Sequence, residues 1–111
     1  MKMNNEEIMN VYFIKAGEYV KIGIAKNIKS RISALQTGQA VKIEFCGAIR
    51  NLTKGEARKY ESKLHNFFRN CWASGEWFLL PTFDLYDEYS KTIIYGDGGF
   101  LIDAILEENT R

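Results

Sequence analysis

Val11-Tyr12-Phe13-Ile14-Lys15-Ala16-Gly17-Glu18-Tyr19-Val20-Lys21-Ile22-Gly23-Ile24 is the stretch that decides the fold. Residues 11–15 are β-branched and aromatic, the types that fit a pleated, packed surface. Residues 19–24 alternate with period two, so Val20, Ile22 and Ile24 share one face and Tyr19, Lys21 and Gly23 the other. Ala16-Gly17-Glu18 between them is short and contains the glycine that a tight reversal needs. Together the two runs predict an antiparallel hairpin at the front of the chain.

Working outward, Asn27 is a natural helix N-cap, followed by an apolar stripe of Ile28, Ile32 and Leu35 that stops before Gly38. Residues 41–45 alternate again and predict a third strand running on to residue 49. Thr53-Lys54-Gly55-Glu56 has the spacing of a capping box, in which threonine and glutamate satisfy each other's backbone N–H groups. It opens a long helix with Ala57, Tyr60, Leu64, Phe67, Phe68 and Cys71 at helical spacing. Gly75-Glu76-Trp77-Phe78-Leu79-Leu80 predicts a strand stopped by Pro81. From Thr82 the tail is expected to be helical to about Ile94, to break at Gly96–Gly99, and to form a last helix over residues 100–108. The order β-β-α-β-α-β then α predicts a small α+β fold with a mainly antiparallel sheet flanked by helices. The expected organisation is a domain over 1–81 and an acidic helical extension over 82–111 packed on it.

The chain has 111 residues, of which 46% are hydrophobic and 26% charged, a globular composition rather than a disordered one. No apolar run approaches the ~18 residues of a membrane span, and Glu6 and Glu7 interrupt the first ten residues. The reading excludes a secretory leader and a membrane span and expects a cytoplasmic protein. Cys46 and Cys71 lie among apolar neighbours and are expected reduced and buried. With the single His65 they lack the paired spacings of a zinc site. The net charge of +1 is an average over unlike segments. Residues 1–80 carry thirteen basic and seven acidic side chains, whereas residues 81–111 carry two basic and seven acidic ones. A basic front and an acidic tail keep a polyanionic partner open despite the neutral sum.

Two side chains break the apolar pattern. Glu61 lies four after Ala57 and three before Leu64, on or beside the stripe facing the sheet, where a carboxylate is costly to desolvate without a cation or donors. Arg31 lies three after Ile28 and four before Leu35, at the edge of another buried face. A carboxylate to hold a divalent metal and a guanidinium to hold phosphate suit phosphodiester chemistry.

On these residues the chain resembles the GIY-YIG nuclease superfamily. Asn10-Val11-Tyr12 and Lys21-Ile22-Gly23 look like degenerate forms of its two tripeptides, with Arg31 ten residues after Lys21 and Glu61 in the later helix. The stretches 19–23, 31–38, 61–68 and 75–78 are similar to a phage and fungal branch in which KIG replaces YIG and a Gly-Glu-Trp-Phe strand recurs. The resemblance covers about residues 10–80. It implies hydrolysis of nucleic-acid phosphodiesters with one Mg²⁺ or Mn²⁺ as cofactor and nucleic acid, double-stranded DNA first, as partner. Carried over by position, Tyr12 is the tyrosine that helps deprotonate water, Arg31 the phosphate clamp and Glu61 the metal ligand. Lys21 replaces the tyrosine of the second motif and brings an ammonium suited to a phosphate oxygen.

Tyr19, with the same strand parity as Lys21, and His65, one turn after Glu61, are secondary site residues. Glu76 is weighed as a second carboxylate, but a role locking the strand edge is preferred for it. Trp72, Trp77, Phe67 and Phe68 are expected in the core. Lys26, Lys29, Lys42 and Arg58 are candidates to track a nucleic-acid backbone. The rival readings are a nucleic-acid-binding module of the same fold silenced by Lys21, and a partner-binding protein acting through its acidic tail. Self-association as a homodimer is a further role open to that tail, and no membrane partner is expected.

Overall fold

A computed structural model describes residues 7–81, 83–87, 92–95 and 100–101 of the chain. The opening hairpin forms as its pattern demands: β1 (Met9–Ala16) pairs antiparallel with β2 (Tyr19–Ala25), with Tyr12 opposite Gly23 and Ile14 opposite Lys21. Gly17 sits in the connecting turn at φ 64°, a backbone region that L side chains resist and two-residue hairpin turns require. Helix α1 (Ile28–Gln36) follows, capped by the Asn27 side chain accepting from the Ser30 amide at 2.9 Å. Strand β3 (Ile43–Leu52) then pairs antiparallel with β1. Gln36 holds the intervening loop, donating to the Val41 carbonyl and accepting from the Ile43 amide.

The capping box is present in full at the start of α2 (Lys54–Phe67): the Glu56 amide donates to Thr53 Oγ1, and the Thr53 amide donates to Glu56 Oε1. The helix is shorter than its apolar spacing predicts. It stops at Phe67, passes through a 3-10 turn (Arg69–Cys71) and gives way to β4 (Trp72–Ser74) and β5 (Trp77–Leu79). Gly75 and Glu76 therefore occupy the turn of a hairpin rather than the start of a strand, with Gly75 at φ 56°.

The five strands make one antiparallel sheet in the order β3-β1-β2-β5-β4. With neighbours on both sides and cover on both faces, β1 is buried throughout Val11–Ile14. One face carries Val11, Phe13, Val20 and Ile22 against Ala57, Leu64 and Phe68. The other carries Tyr12, Ile14 and Ala48 against Ile28, with Ile32, Leu35 and Trp77 at its margin. Full burial of each such aliphatic or aromatic side chain contributes roughly 1.5–3 kcal/mol.

The tail departs from expectation. Instead of a helix from residue 82 to about 94, the chain forms β6 (Phe83–Asp87), β7 (Thr92–Tyr95) and β8 (Phe100–Leu101), paired antiparallel in that order. Thr92-Ile93-Ile94-Tyr95 is β-branched and aromatic, and that strand preference outweighs an apolar spacing that also fits a helix turn. Phe100 and Leu101, expected to open a helix, instead pair with β7, and the break expected over residues 96–99 lies outside the described residues. The rest of that expected helix, residues 102–108, lies outside the described residues. Among the described residues no helix is long and apolar enough to cross a membrane.

Two aromatic expectations also change. Phe68 is buried, but Trp72 is 60% exposed and Phe67 is half-exposed, because the chain turns out of α2 before either reaches the core. Both cysteines are free; Cys46 is buried, and burial pushes its thiol up to about 11, whereas Cys71 is half-buried.

Candidate active site

The site forms where β5 stops accompanying β2. Beyond Lys21, which pairs with Trp77, the outer edge of β2 is free of a strand partner. The backbone there is satisfied piecemeal: the Ile22 amide donates to the Glu76 carbonyl at 3.2 Å, and the Ile22 carbonyl bonds His65 Nε2 at 2.8 Å. A carbonyl only accepts, so Nε2 carries the hydrogen and that nitrogen is not free for a metal. His65 also stands edge-on to Phe78 and 4.0 Å from the Glu61 carboxylate. Its place in the structure is to close the sheet edge and steady Glu61, one turn earlier on α2.

Gly23 makes the centre possible. A Cβ at this position would stand 2.6 Å from the Tyr12 hydroxyl oxygen, 2.8 Å from Tyr12 Cζ and 2.9 Å from Glu76 Oε1. The phenol and the carboxylate thus crowd one point that only a glycine leaves open. Glu76 Oε1 also pairs with Lys21 Nζ at 3.1 Å, and that ammonium lies 5.7 Å from the centroid of the Trp77 ring. Glu61 completes the group by sharing a hydrogen bond with Glu76, and its side chain is only 18% exposed.

The electrostatics follow from this crowding. Burial first, and then the charge and hydrogen bond of Glu76, push the Glu61 carboxyl up to about 7, against the opposing pull of Lys21 and Arg58. Near neutral pH the Glu61 carboxyl is therefore only partly ionised. Burial, reinforced by Glu76 and Glu61 and opposed by Arg31, pushes the Tyr12 phenol up to about 12. Tyr12 is completely buried, and its hydroxyl is the buried side-chain polar atom without a hydrogen-bond partner among the described residues. A neutral phenol with nothing to bond is costly in a protein interior, which marks this position as built for something further.

Of the predicted quartet, Tyr12, Lys21 and Glu61 each lie beside Glu76, whereas Arg31 stands on the exposed side of α1 and bears on the phenol through its charge. Tyr19 does not join it: it lies at the opposite end of β2 beside Leu79, lining a separate groove with Val41, Ser74 and Trp77. Glu76, expected to lock the strand edge rather than to act as a second carboxylate, does tie that edge through its carbonyl to Ile22 and its carboxylate to Lys21, and the same carboxylate lies beside Tyr12 and Glu61. The sequence signal for it was its place in Gly75-Glu76-Trp77, but only the pairing of β5 with β2 brings it to Lys21. Lys26 and Lys29 line a hollow of about 490 Å³ beside the start of α1, together with Phe45 and Arg50. Arg58 faces solvent on α2, and Lys42 is exposed in the loop before β3.

Among the described residues no three His, Cys, Asp or Glu side chains form a ready cage for a metal. The pair of carboxylates is nonetheless the donor chemistry that Mg²⁺ and Mn²⁺ use, since such ions keep several waters and take one or two carboxylates. The unpartnered Tyr12 hydroxyl beside them is the kind of group that bonds a water of such an ion, so the residues present fit the expected metal.

A family model for the T5orf172 domain matches residues 9–93, most of the chain and all of the site. The chain belongs to the T5orf172 domain family. That family is of phage type and related to nucleic acids, in keeping with a basic segment and a carboxylate–arginine site. In this T5orf172 domain the match extends through β6 and into β7. No curated protein and no solved structure matches the chain.

Proposed function

We propose that this T5orf172 domain is a metal-dependent endonuclease of the GIY-YIG type that hydrolyses phosphodiester bonds, with DNA as substrate. The observation that supports the reading is the crowding of Tyr12 and Glu76 at Gly23, with Lys21 and Glu61 both beside Glu76 and the phenol hydroxyl buried without a partner. Glu61 would hold one Mg²⁺ or Mn²⁺, whose chemical contribution is charge stabilisation on the phosphate and leaving oxygens and acidification of nearby groups. Arg31, on the exposed side of α1, binds the phosphate with a charge that needs no deprotonation. Lys21, already held in place by Glu76 and the Trp77 ring, offers a second cation to a phosphate oxygen. Tyr12 orients the attacking water and exchanges a proton with it; burial holds its phenol at about 12 even against the pull of Arg31, and a cation bound at Glu61 would lower it. Lys26, Lys29 and Arg58 then serve as contacts along the nucleic-acid backbone.

The test is nicking of supercoiled plasmid with Mg²⁺ or Mn²⁺ by the wild type, Glu61→Ala and Arg31→Ala. Cleavage that requires metal and falls at least ~100-fold in each variant is expected, as for loss of a group acting on transition-state charge. Metal-dependent cleavage that survives both substitutions would remove the site assignment. Tight DNA binding with no cleavage under either metal would favour a silent binding module.

A further inference from the structure

We propose that Glu76, carried by the β4–β5 turn, is a second carboxylate ligand of the divalent cation, sharing it with Glu61. The identity of the cation rests on the nuclease reading above; the pairing of the two carboxylates rests on the structure. The turn that carries Glu76 is fixed from two sides. The Trp72 indole N–H donates to the Gly75 carbonyl at 2.9 Å, and the Glu76 carbonyl accepts from the Ile22 amide of β2. A turn held this way keeps its carboxylate in one place, as a metal ligand needs.

That place is already arranged for positive charge. Glu76 Oε1 lies 3.1 Å from Lys21 Nζ, so an ammonium stands where a hydrated cation would compete for the same oxygen. Lys21 and Tyr12 both lie beside Glu76, and the Glu61 carboxyl feels its charge at close range, so two hard oxygen donors share one neighbourhood. The Tyr12 hydroxyl supplies the independent sign of a ligand. It is fully buried, has no partner, and lies close to Glu76 Oε1, the two oxygens packing together over the Gly23 backbone. The Glu76 side chain is 40% exposed, so a hydrated ion can reach the pair from solvent. If Glu76 only locked the hairpin through Lys21, the unpartnered phenol beside its carboxylate would have no use.

The measurement is Mn²⁺ binding to the whole protein by calorimetry and by the electron paramagnetic resonance of free Mn²⁺, without nucleic acid. The proteins compared are the wild type, Glu61→Gln, Glu76→Gln, Glu76→Asp and Lys21→Met, each first checked for folding by circular dichroism. Glu76→Gln is expected to weaken Mn²⁺ at least tenfold, as Glu61→Gln does. Lys21→Met is expected to strengthen it severalfold by removing the competing ammonium, a gain that a purely structural ion pair would not produce. Should Glu76→Gln fail to fold, Glu76→Asp and Lys21→Met decide the matter. Mn²⁺ affinity unchanged in Glu76→Gln but lost in Glu61→Gln overturns the inference and leaves the nuclease reading intact. Mn²⁺ held by both carboxylates in a protein that leaves DNA uncut overturns the nuclease reading and supports the shared site.

Discussion

At the scale of single residues, the site is a set of mutually enabling choices. Glycine at position 23 lets a tyrosine and a glutamate approach one point, and the Tyr12 ring is too enclosed to swing aside. Gly23→Ala is therefore expected to cost about 1–3 kcal/mol of stability by overpacking, and to reduce cleavage at least ~100-fold by displacing both groups. Unfolding and plasmid nicking measured on the same preparation check this; full activity in Gly23→Ala would show that the crowded point is not the reacting centre. Glu61 gives a pH signature. Its pKa is raised on folding from 4.5 to about 7, so the metal-free protein draws stability from its protonated form. That contribution is complete below about pH 4.5 and is lost as pH rises through about 7. Glu61→Gln, which keeps a neutral group at every pH, is expected to be more stable than the wild type at pH 8 by on the order of 1 kcal/mol, and no more stable at pH 4. Urea unfolding in the presence of a chelator measures it, and equal pH dependence in the two proteins would assign the titration elsewhere. The same sign makes divalent-metal binding improve as pH rises through about 7, because the metal displaces the proton of Glu61.

At the scale of elements, the conversions between strand and helix are held by side chains that short motifs only half reveal. Asn10 replaces the first glycine of the resembled tripeptide, and its amide ties three pieces together. It donates to the carbonyls of Ala25 and Lys26 and accepts from the Asn51 amide. These bonds fix the corner from β2 into α1, and so the base from which Arg31 projects. Asn10→Gly, although it restores the residue of the family motif, is expected to destabilise the fold by about 1–3 kcal/mol through unpaired buried groups. Thermal unfolding reads this directly, and an unchanged Tm would show that water replaces the amide without loss. Element reading succeeded where a local device left a spelling in the chain: the Asn27 cap, the Thr53–Glu56 capping box and the Gly17 turn were all legible and all form. It failed at the end of α2 and in the tail. Phe67 and Cys71 continue a helical spacing that the chain does not follow, and Thr92–Tyr95 pairs as a strand. In both places apolar spacing alone fits two structures, and the choice belongs to strand partners distant in sequence.

At the scale of the whole molecule, charge and sheet order combine. The neutral sum hides a +6 balance over residues 1–80, and Lys26, Lys29 and Arg31 follow one another around the start of α1. Nucleic-acid affinity is expected to fall steeply with salt, as it does when phosphate contacts release counterions. Lys26→Ala, Lys29→Ala and Arg31→Ala should each flatten the slope of log affinity against log salt by about one. Fluorescence anisotropy over a salt series measures the slopes, and unchanged slopes in all three variants would move the interface off this face.

The sequence alone determined the hairpin, the starts of both main helices with their caps, and the α+β class, and it nominated the quartet of Tyr12, Lys21, Arg31 and Glu61. These are written in periodicity, in capping residues and in motif spacing, all of which act over a few neighbours. The tertiary structure alone decided that the Glu76 carboxylate lies beside Lys21 and Tyr12, that His65 closes a strand edge, that Tyr19 stands apart, and that the described tail segments are strands. Each of these depends on which strand lies beside which. That follows from burying both faces of β1 at once, a condition that no local window of the chain contains.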